Sequence, residues 1–308
     1  MSTLTVIVPT YNRATSLARA LRPLVAQATR VGGVRVMVVD NNSTDQTRAV
    51  IAQMGSAVDY VFEQKQGLSY ARNAGIIRAT TDLVAFTDDD VEAADDWMEV
   101  ILREFDQHPD VDCVGGRVLP CWHGEPPAWL TREHWAPLAL QDHGEFPREF
   151  DRAHPVCLVG ANVAFRRSVF DNIGLFATGV QRVRDGIGST EDHELLQRLY
   201  DDGGRARYVP EMLVTTNVPD DRLTAAYHRR WHVGHGRFHA LMRLPDMERS
   251  SRGRLLGVPA HLYRTAIADL GSWIALRLRG ERARAFAAET RLCFFGGFLR
   301  ERCPLPRR

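Results

Sequence analysis

Four short apolar runs, each followed by a helix-length segment, constrain the fold of this chain more than any other feature. Leu4–Val8 reads as a strand and Ser16–Ala28 as a helix, and Val34–Val39 is a second strand ending in Asp40. Ser43-Thr44-Asp45-Gln46 has the S-x-x-Q form of a capping box opening the next helix. Asp59–Phe62 reads as a third strand, Leu68–Ala79 as a helix and Leu83–Phe86 as a fourth strand. Continuous apolar strands separated by helices predict an α/β fold, with a mostly parallel sheet covered on both faces.

Ligands of such sheets bind beyond the carboxyl ends of the strands. Three polar groups fall at that rim: Thr10-Tyr11-Asn12-Arg13, Asp40-Asn41-Asn42 and Asp88-Asp89-Asp90. The third is the most demanding, because a buried strand that ends in three like charges needs a positive partner. A helix cap, a solvated turn and a divalent-cation site are all open explanations. Hard oxygen ligands suit Mg²⁺ or Mn²⁺, which take one or two carboxylates together with phosphate oxygens.

Beyond Val111–Val118, a further β-type run, the pattern becomes irregular. Residues 120–155 hold Trp122, Trp129, Trp135 and several prolines, which suggests a long surface excursion. Its tryptophans could stack on sugar or pin the loop to the core. Order returns at Cys157–Phe165, followed by the Gly-rich, Arg-bearing loop FATGVQRVRDGIGS. A helix from about Glu191 to Asp202, a strand at Leu213–Thr216 and a helix at Leu223–Leu241 come next. Past Gly253 the chain reads as two Arg-rich amphipathic helices. Such helices could lie on an anionic membrane surface or pack as a hairpin on the domain.

Composition narrows the function classes. A net charge of +1 gives no basic excess of the kind nucleic-acid binders show. Lys65 is the only lysine, so nearly all positive charge is arginine, which suits bidentate phosphate contacts. Five cysteines without a C-x-x-C pair argue against a disulfide framework or zinc ribbon and for a reducing compartment. The opening MSTLTVIVPTYN lacks the pattern of a secretory signal, and no apolar run approaches the roughly 18 residues of a spanning helix. A cytoplasmic protein, at most peripheral on the cytoplasmic face of a membrane, is expected. The turn PTYNRATS has no glycine, against both a G-x-G-x-x-G dehydrogenase and a sugar-phosphate nucleotidyltransferase.

Four segments, VIVPTYNRATSLARAL, VVDNNSTDQT, GLSYARNAGIIRATTDLVAFTDDDV and GSTEDHELLQRL, occur in the order found in family 2 glycosyltransferases, and over roughly residues 4–240 the chain resembles that family. The resemblance implies a GT-A fold, with a Rossmann-like nucleotide-sugar-binding half at 1–118, an acceptor and catalytic half at 119–242, and a helical extension at 243–308. It implies inverting transfer of a sugar from a nucleotide donor, a UDP-sugar by preference, to a saccharide, lipid-linked or other hydroxyl acceptor. Pro9, Thr10, Tyr11 and Asp40 would hold the base, with Arg13 and Arg72 also reaching the nucleotide. Asp88 would face the ribose, Asp89 would occupy the variable position beside it, and Asp90 would bind Mn²⁺ or Mg²⁺. Asp192 would be the base and Glu191 its neighbour, their alternative being ordinary acids in a helix's first turn.

The segment YHRRWHVGHGRFH partly resembles the Q-x-x-R-W element of processive members, but Tyr227 stands where glutamine is expected, so a non-processive enzyme is implied. Arg229 and Arg230 are candidates for the donor diphosphate, and Arg182 and Arg184 for a loop closing over it. The histidines at 228, 232, 235 and 239 sit near helical spacing, which raises a second metal site as a minor alternative. Asn217 stands where many relatives carry a metal-binding histidine. A degenerate relative that binds nucleotide sugar or scaffolds an assembly without turnover is the non-enzymatic alternative; the presence of both Asp90 and Asp192 argues against it.

Overall fold

The structure, a computed structural model, describes residues 2–181, 187–188, 190–243, 247–248 and 253–303. Arg182 and Arg184 lie outside the described residues. The chain divides into two compact units, 1–121 with 139–184 and 191–217, and 122–138 with 185–190 and 218–308. These bounds differ from the 118 and 242 read from the sequence, because the second unit takes in both the tryptophan excursion and the histidine-bearing helix.

In the first unit the apolar runs become β1 (Leu4–Thr10), β2 (Val34–Asp40), β3 (Asp59–Phe62) and β4 (Leu83–Thr87). Every residue of β1 and β4 is buried, as expected of strands covered on both faces. Helices α1 (Ala14–Val31), α2 (Thr47–Gln53) and α3 (Leu68–Arg78) connect them, and the four strands pair in parallel in the order β3-β2-β1-β4.

The sheet then continues less regularly. It adds β5 (Val91–Ala93), β6 (Cys113–Cys121), β7 (Arg148–Phe150), β8 (Asn162–Arg166) and β9 (Ala206–Asn217), with α4 (Trp97–Gln107), α5 (Val169–Ile173) and α6 (Glu191–Asp201) between them. Strand β8 is inserted antiparallel between β4 and β6, while β6 and β9 run parallel. Strands β5 and β7 both pair antiparallel with β9. The junction is locked by Asn162, fully buried, whose side-chain amide donates to the carbonyls of Arg117 and Met212 at 2.7 Å each and accepts from the Trp97 indole at 2.8 Å. One side chain thereby ties β8 to β6, β9 and α4, and satisfies three polar groups that would be costly to bury unpaired.

Between the acidic triplet and the next helix, three residues form β5 against Thr216–Val214, and α4 starts at Trp97. One expectation is corrected: the capping box at Ser43 and Gln46 does not form. Ser43 Oγ accepts the backbone N–H of Asn12 at 3.0 Å, and the start of α2 is held by Asp45, which accepts the Thr47 N–H at 3.0 Å and hydroxyl at 2.5 Å.

The second unit is built on three helices, α7 (Ala225–Met242), α8 (Ala260–Leu278) and α9 (Arg282–Arg302), with a hairpin of β10 (Arg254–Leu255) and β11 (Val258–Pro259) before α8. Two glycines bring α7 and α9 together: a Cβ at Gly236 would lie 2.0 Å from the carbonyl oxygen of Phe294, and one at Gly297 would lie 2.0 Å from that of Val233. Backbone therefore meets backbone where any side chain would force the helices apart. Trp129 packs edge-on against His134, His228 and Phe286 with centroids 4.7–5.6 Å apart, so it pins its own segment to this helical unit. Burial pushes His228 and His232 down to about 4, which keeps both rings neutral at pH 7. Among the described residues no group of three or more His, Cys, Asp or Glu side chains is arranged to hold a metal, against the second metal site.

Candidate active site

The rim groups meet because β1, β2 and β4 run parallel and present their carboxyl ends on one side of the sheet. Thr10 lies opposite Asp40 on the neighbouring strand, and Asn41 N–H donates to the Thr10 carbonyl at 2.9 Å. The loops beyond are stitched by short polar side chains. Asn12 and Asn42 take left-handed backbone angles (φ 53° and 64°), which asparagine tolerates better than most residues. Asn12 Oδ1 accepts the Thr44 N–H at 2.7 Å, and Asn41 Oδ1 accepts the Gly67 N–H at 2.7 Å while its amide donates to the Lys65 carbonyl at 2.6 Å.

Asp40 is buried, and its two oxygens accept from the Ser43 N–H at 2.9 Å and the Tyr60 hydroxyl at 3.1 Å. It caps no helix, since α2 begins only at Thr47. Burial, with the Asp40 charge beside it, pushes the Tyr60 phenol above its ordinary range. Pro9 is buried inside β1 and Tyr11 is half-buried on the rim.

The three aspartates separate into different environments. Asp89 points inward: the Thr10 hydroxyl donates to it at 2.6 Å and the Arg13 guanidinium lies 3.8 Å away. Burial, then repulsion from Asp90, pushes Asp89 up to about 7 against the pull of Arg13 and Thr10. Asp89, the residue at the variable position, clamps the triplet to the end of β1. Asp88 and Asp90 stay partly exposed, and Arg13 makes an ion pair with Asp90. Asp90 directly precedes Val91, which is opposite Thr216, so Asn217 at the end of β9 falls beside it in the ladder.

Arg72 is the centre of the site. Its side chain is only 2% exposed, against the ordinary expectation for an arginine on a helix. It donates to Asp192 Oδ1 at 2.6 Å and lies 3.5 Å from Glu191 Oε1 and 3.8 Å from Asp88 Oδ1. Its guanidinium carbon sits 5.8 and 5.3 Å from the ring centroids of Phe86 and Phe176. Burial opposes the charge, and the carboxylates more than offset it. Arg72 is engaged by carboxylates from two separate motifs.

Asp192 is held at both oxygens, by Arg72 and by the backbone N–H of Gly160 at 3.0 Å, yet a quarter of its side chain remains exposed. Gly160 escaped the sequence reading, since a single glycine in VGAN carries no periodic signal. A Cβ there would lie 2.5 Å from both Arg72 Nη2 and Asp192 Oδ1, so only glycine leaves this pair its geometry. Gln181 was missed as well: its side-chain Oε1 accepts the Ser69 N–H at 2.8 Å in the first turn of α3, the helix that carries Arg72.

Arg229 and Arg230 belong to α7 of the second unit and are exposed there. Arg229 donates to Glu289 at 2.6 Å and lies over the Phe286 ring. Thus Thr10, Tyr11, Arg13, Asp40, Arg72, the triplet and the Glu191–Asp192 pair all lie in the first unit, on or beside the carboxyl rim of its sheet.

Known proteins fit this arrangement. Over 304 residues the chain is 27% identical to the succinoglycan biosynthesis protein ExoM of Rhizobium meliloti, covering 96% of this chain and 86% of that one. Over 171 residues it is 28% identical to a glucosyl-dolichyl phosphate glucuronosyltransferase of Haloferax volcanii, 55% of this chain and 54% of the relative. The chain spans about half the length or less of several curated relatives it matches. Two solved structures share the fold: S. aureus TarS 1-349 with UDP-GlcNAc (TM-score 0.56, 17% identity, 96% of this chain and 90% of that one) and the mannosyltransferase PcManGT of Pyrobaculum calidifontis with GDP-Man and Mn²⁺ (TM-score 0.57, 20% identity, 94% and 87%). The sheet and its flanking helices are thus of the GT-A type. The model of the family described as glycosyl transferase family 2 matches residues 5–174, more than half of the sequence, and the chain belongs to that family.

Proposed function

We propose that this protein transfers a sugar from a nucleotide donor to a hydroxyl acceptor with inversion at the anomeric carbon, in the synthesis of a polysaccharide or glycoconjugate. One observation carries the reading: Arg72 gathers Asp88, Glu191 and Asp192 at one point of the strand rim. A scaffold would have no use for a partly exposed carboxylate held at both oxygens beside the strand rim. In this reading Asp192 accepts the proton of the acceptor hydroxyl as its oxygen attacks the anomeric carbon, and the nucleoside diphosphate leaves from the opposite face. Arg72 and the Gly160 N–H hold Asp192 in place, with Glu191 beside it on the same guanidinium.

The residues present fit a divalent cation that shares its ligands with the donor. Asp90 and Asp88 offer partly exposed carboxylate oxygens, and Mg²⁺ or Mn²⁺ is typically held by one or two carboxylates plus phosphates and water. Such an ion, held by Asp90, would neutralise charge on the departing diphosphate. Arg13, now paired with Asp90, is placed to turn to a phosphate when that pair opens. Asp88 takes the ribose, and Thr10, Tyr11 and Asp40 the base. A UDP-sugar is preferred because a carboxylate such as Asp40 can accept the imide N–H of uracil; the fold alone leaves the base open, as its solved neighbours hold both UDP and GDP sugars. The acceptor is a saccharide or lipid-linked hydroxyl compound, met in the cytoplasm or at the cytoplasmic face of the membrane.

A panel of nucleotide sugars, scored for donor hydrolysis with Mn²⁺ or EDTA, tests this. One UDP-sugar should be turned over in Mn²⁺. EDTA or Asp90→Ala should each reduce the rate by about 10²-fold or more, in keeping with the several kcal/mol a catalytic ion supplies. Equal rates in Mn²⁺ and EDTA would remove the metal from the account, and silence across the whole panel would count against the enzyme itself.

A further inference from the structure

Helix α8 is inside out. Its apolar residues Ile267, Leu270, Ile274 and Leu278 recur at steps of three and four, which lines them along one face. All four are exposed, Ile267 by 71% and Leu278 by 85%. The one acid between Gly253 and Gly280, Asp269, is buried, and Arg291 of α9 donates to it at 2.7 Å. The inward contacts of α8 come from other positions, including Leu262 and Tyr263, whose ring lies 5.2 Å from that of Phe295.

The concentration is unusual. Of the eleven exposed large apolar side chains among the described residues, six fall between Leu255 and Leu278. Leu255 and Leu256 sit at the turn of the β10–β11 hairpin, whose tip is tied to the first turn of α8 by the Tyr263 hydroxyl, donating to the Leu255 carbonyl at 3.0 Å. Scattered exposed leucines are ordinary, but an ordered stripe of them marks a docking surface. The exposed charges of α8 and its C-cap are all arginine: Arg264, Arg277 and Arg279, with Arg277 also over the Trp273 ring.

We infer that the outer face of α8, with the tip of the preceding hairpin, docks on an anionic lipid bilayer and seats the helix in the headgroup plane. An apolar stripe flanked by arginines, with the lone acid turned inward, matches both halves of such a surface: acyl chains for the stripe and phosphate headgroups for the guanidiniums. No described helix is long and apolar enough to cross a membrane, so the contact is interfacial. The inference deepens the proposed membrane-side acceptor, but it stands on α8 and is tested without turnover.

The test is co-sedimentation of the full-length protein with vesicles of phosphatidylcholine alone or of equal parts phosphatidylcholine and phosphatidylglycerol. Wild type should sediment with the anionic vesicles and weakly with the neutral ones. The variant Ile267→Glu/Leu270→Glu/Ile274→Glu should lose binding by about tenfold or more. Arg277→Glu/Arg279→Glu should abolish the preference for phosphatidylglycerol. Thermal unfolding checks that each variant is folded, and Ile267→Glu/Leu278→Glu, altering the two most exposed positions, replaces the triple variant if that one is not. Equal sedimentation of wild type and folded variants would overturn the inference. So would a concentration-dependent dimer in sedimentation velocity that the apolar substitutions abolish, since the face would then belong to a second copy. Donor hydrolysis without vesicles should be unchanged in the α8 variants. Vesicle binding without hydrolysis of any donor would sink the enzyme reading and leave this one standing.

Discussion

Arg72→Leu will lower the thermal midpoint by about 6–20 °C, because the substitution strands a cluster of carboxylates rather than merely removing a charge. Breaking a buried ion pair from one side costs about 3–5 kcal/mol, and in a chain of this size each kcal/mol moves the midpoint by roughly 2–4 °C. Leucine fills part of the space between Phe86 and Phe176 but offers nothing to Asp192, Glu191 or Asp88. Differential scanning calorimetry measures the shift. Arg72→Lys should recover part of the midpoint, since it restores the charge, but less of the activity, since an ammonium cannot span carboxylates as the guanidinium fork does. An unchanged midpoint in Arg72→Leu would mean that the cluster carries no net electrostatic load.

Asp192→Asn has the largest expected effect on turnover. Loss of a positioned general base costs about 10²- to 10⁴-fold in rate. The amide is nearly isosteric and can still accept from Arg72, but its NH₂ would then face the Gly160 N–H, donor against donor. The variant should therefore fold and keep most of its donor affinity while transfer fails. Calorimetric titration with the donor identified by the panel, beside the rate of transfer to acceptor, separates the two. Transfer at the wild-type rate would remove Asp192 as the base.

Much of the first unit was legible in the sequence because its strands are buried on both faces. A run such as Leu4–Val8 or Leu83–Phe86 has no polar alternation to blur it, and the real strands exceed those readings by only one or two residues. Strands β5 and β7 were not legible: each has three residues, too few for a pattern, and each exists because β9 offers a free edge beside it. The antiparallel insertion of β8 depends on Asn162 meeting three partners distant in sequence. In the site, Thr10, Asp40 and the triplet could be placed together because strand ends share a rim. The burial of Arg72 could not be read, since an arginine on a helix normally faces solvent and only Phe86, Phe176 and the facing carboxylates reverse that. Nor could the role of Gly236, which lets α9 approach α7 backbone to backbone.

The central claim is that the strand-end triplet and the Glu191–Asp192 pair serve one nucleotide-sugar site. Amide hydrogen exchange with and without UDP, in Mn²⁺ and in EDTA, tests it most directly. The account predicts slowed exchange in 10–13, 40–44 and 88–92 and around 191–193 when UDP and Mn²⁺ are both present, with the effect at 88–92 lost in EDTA. Protection confined to other segments, or identical protection at 88–92 in EDTA, would contradict it.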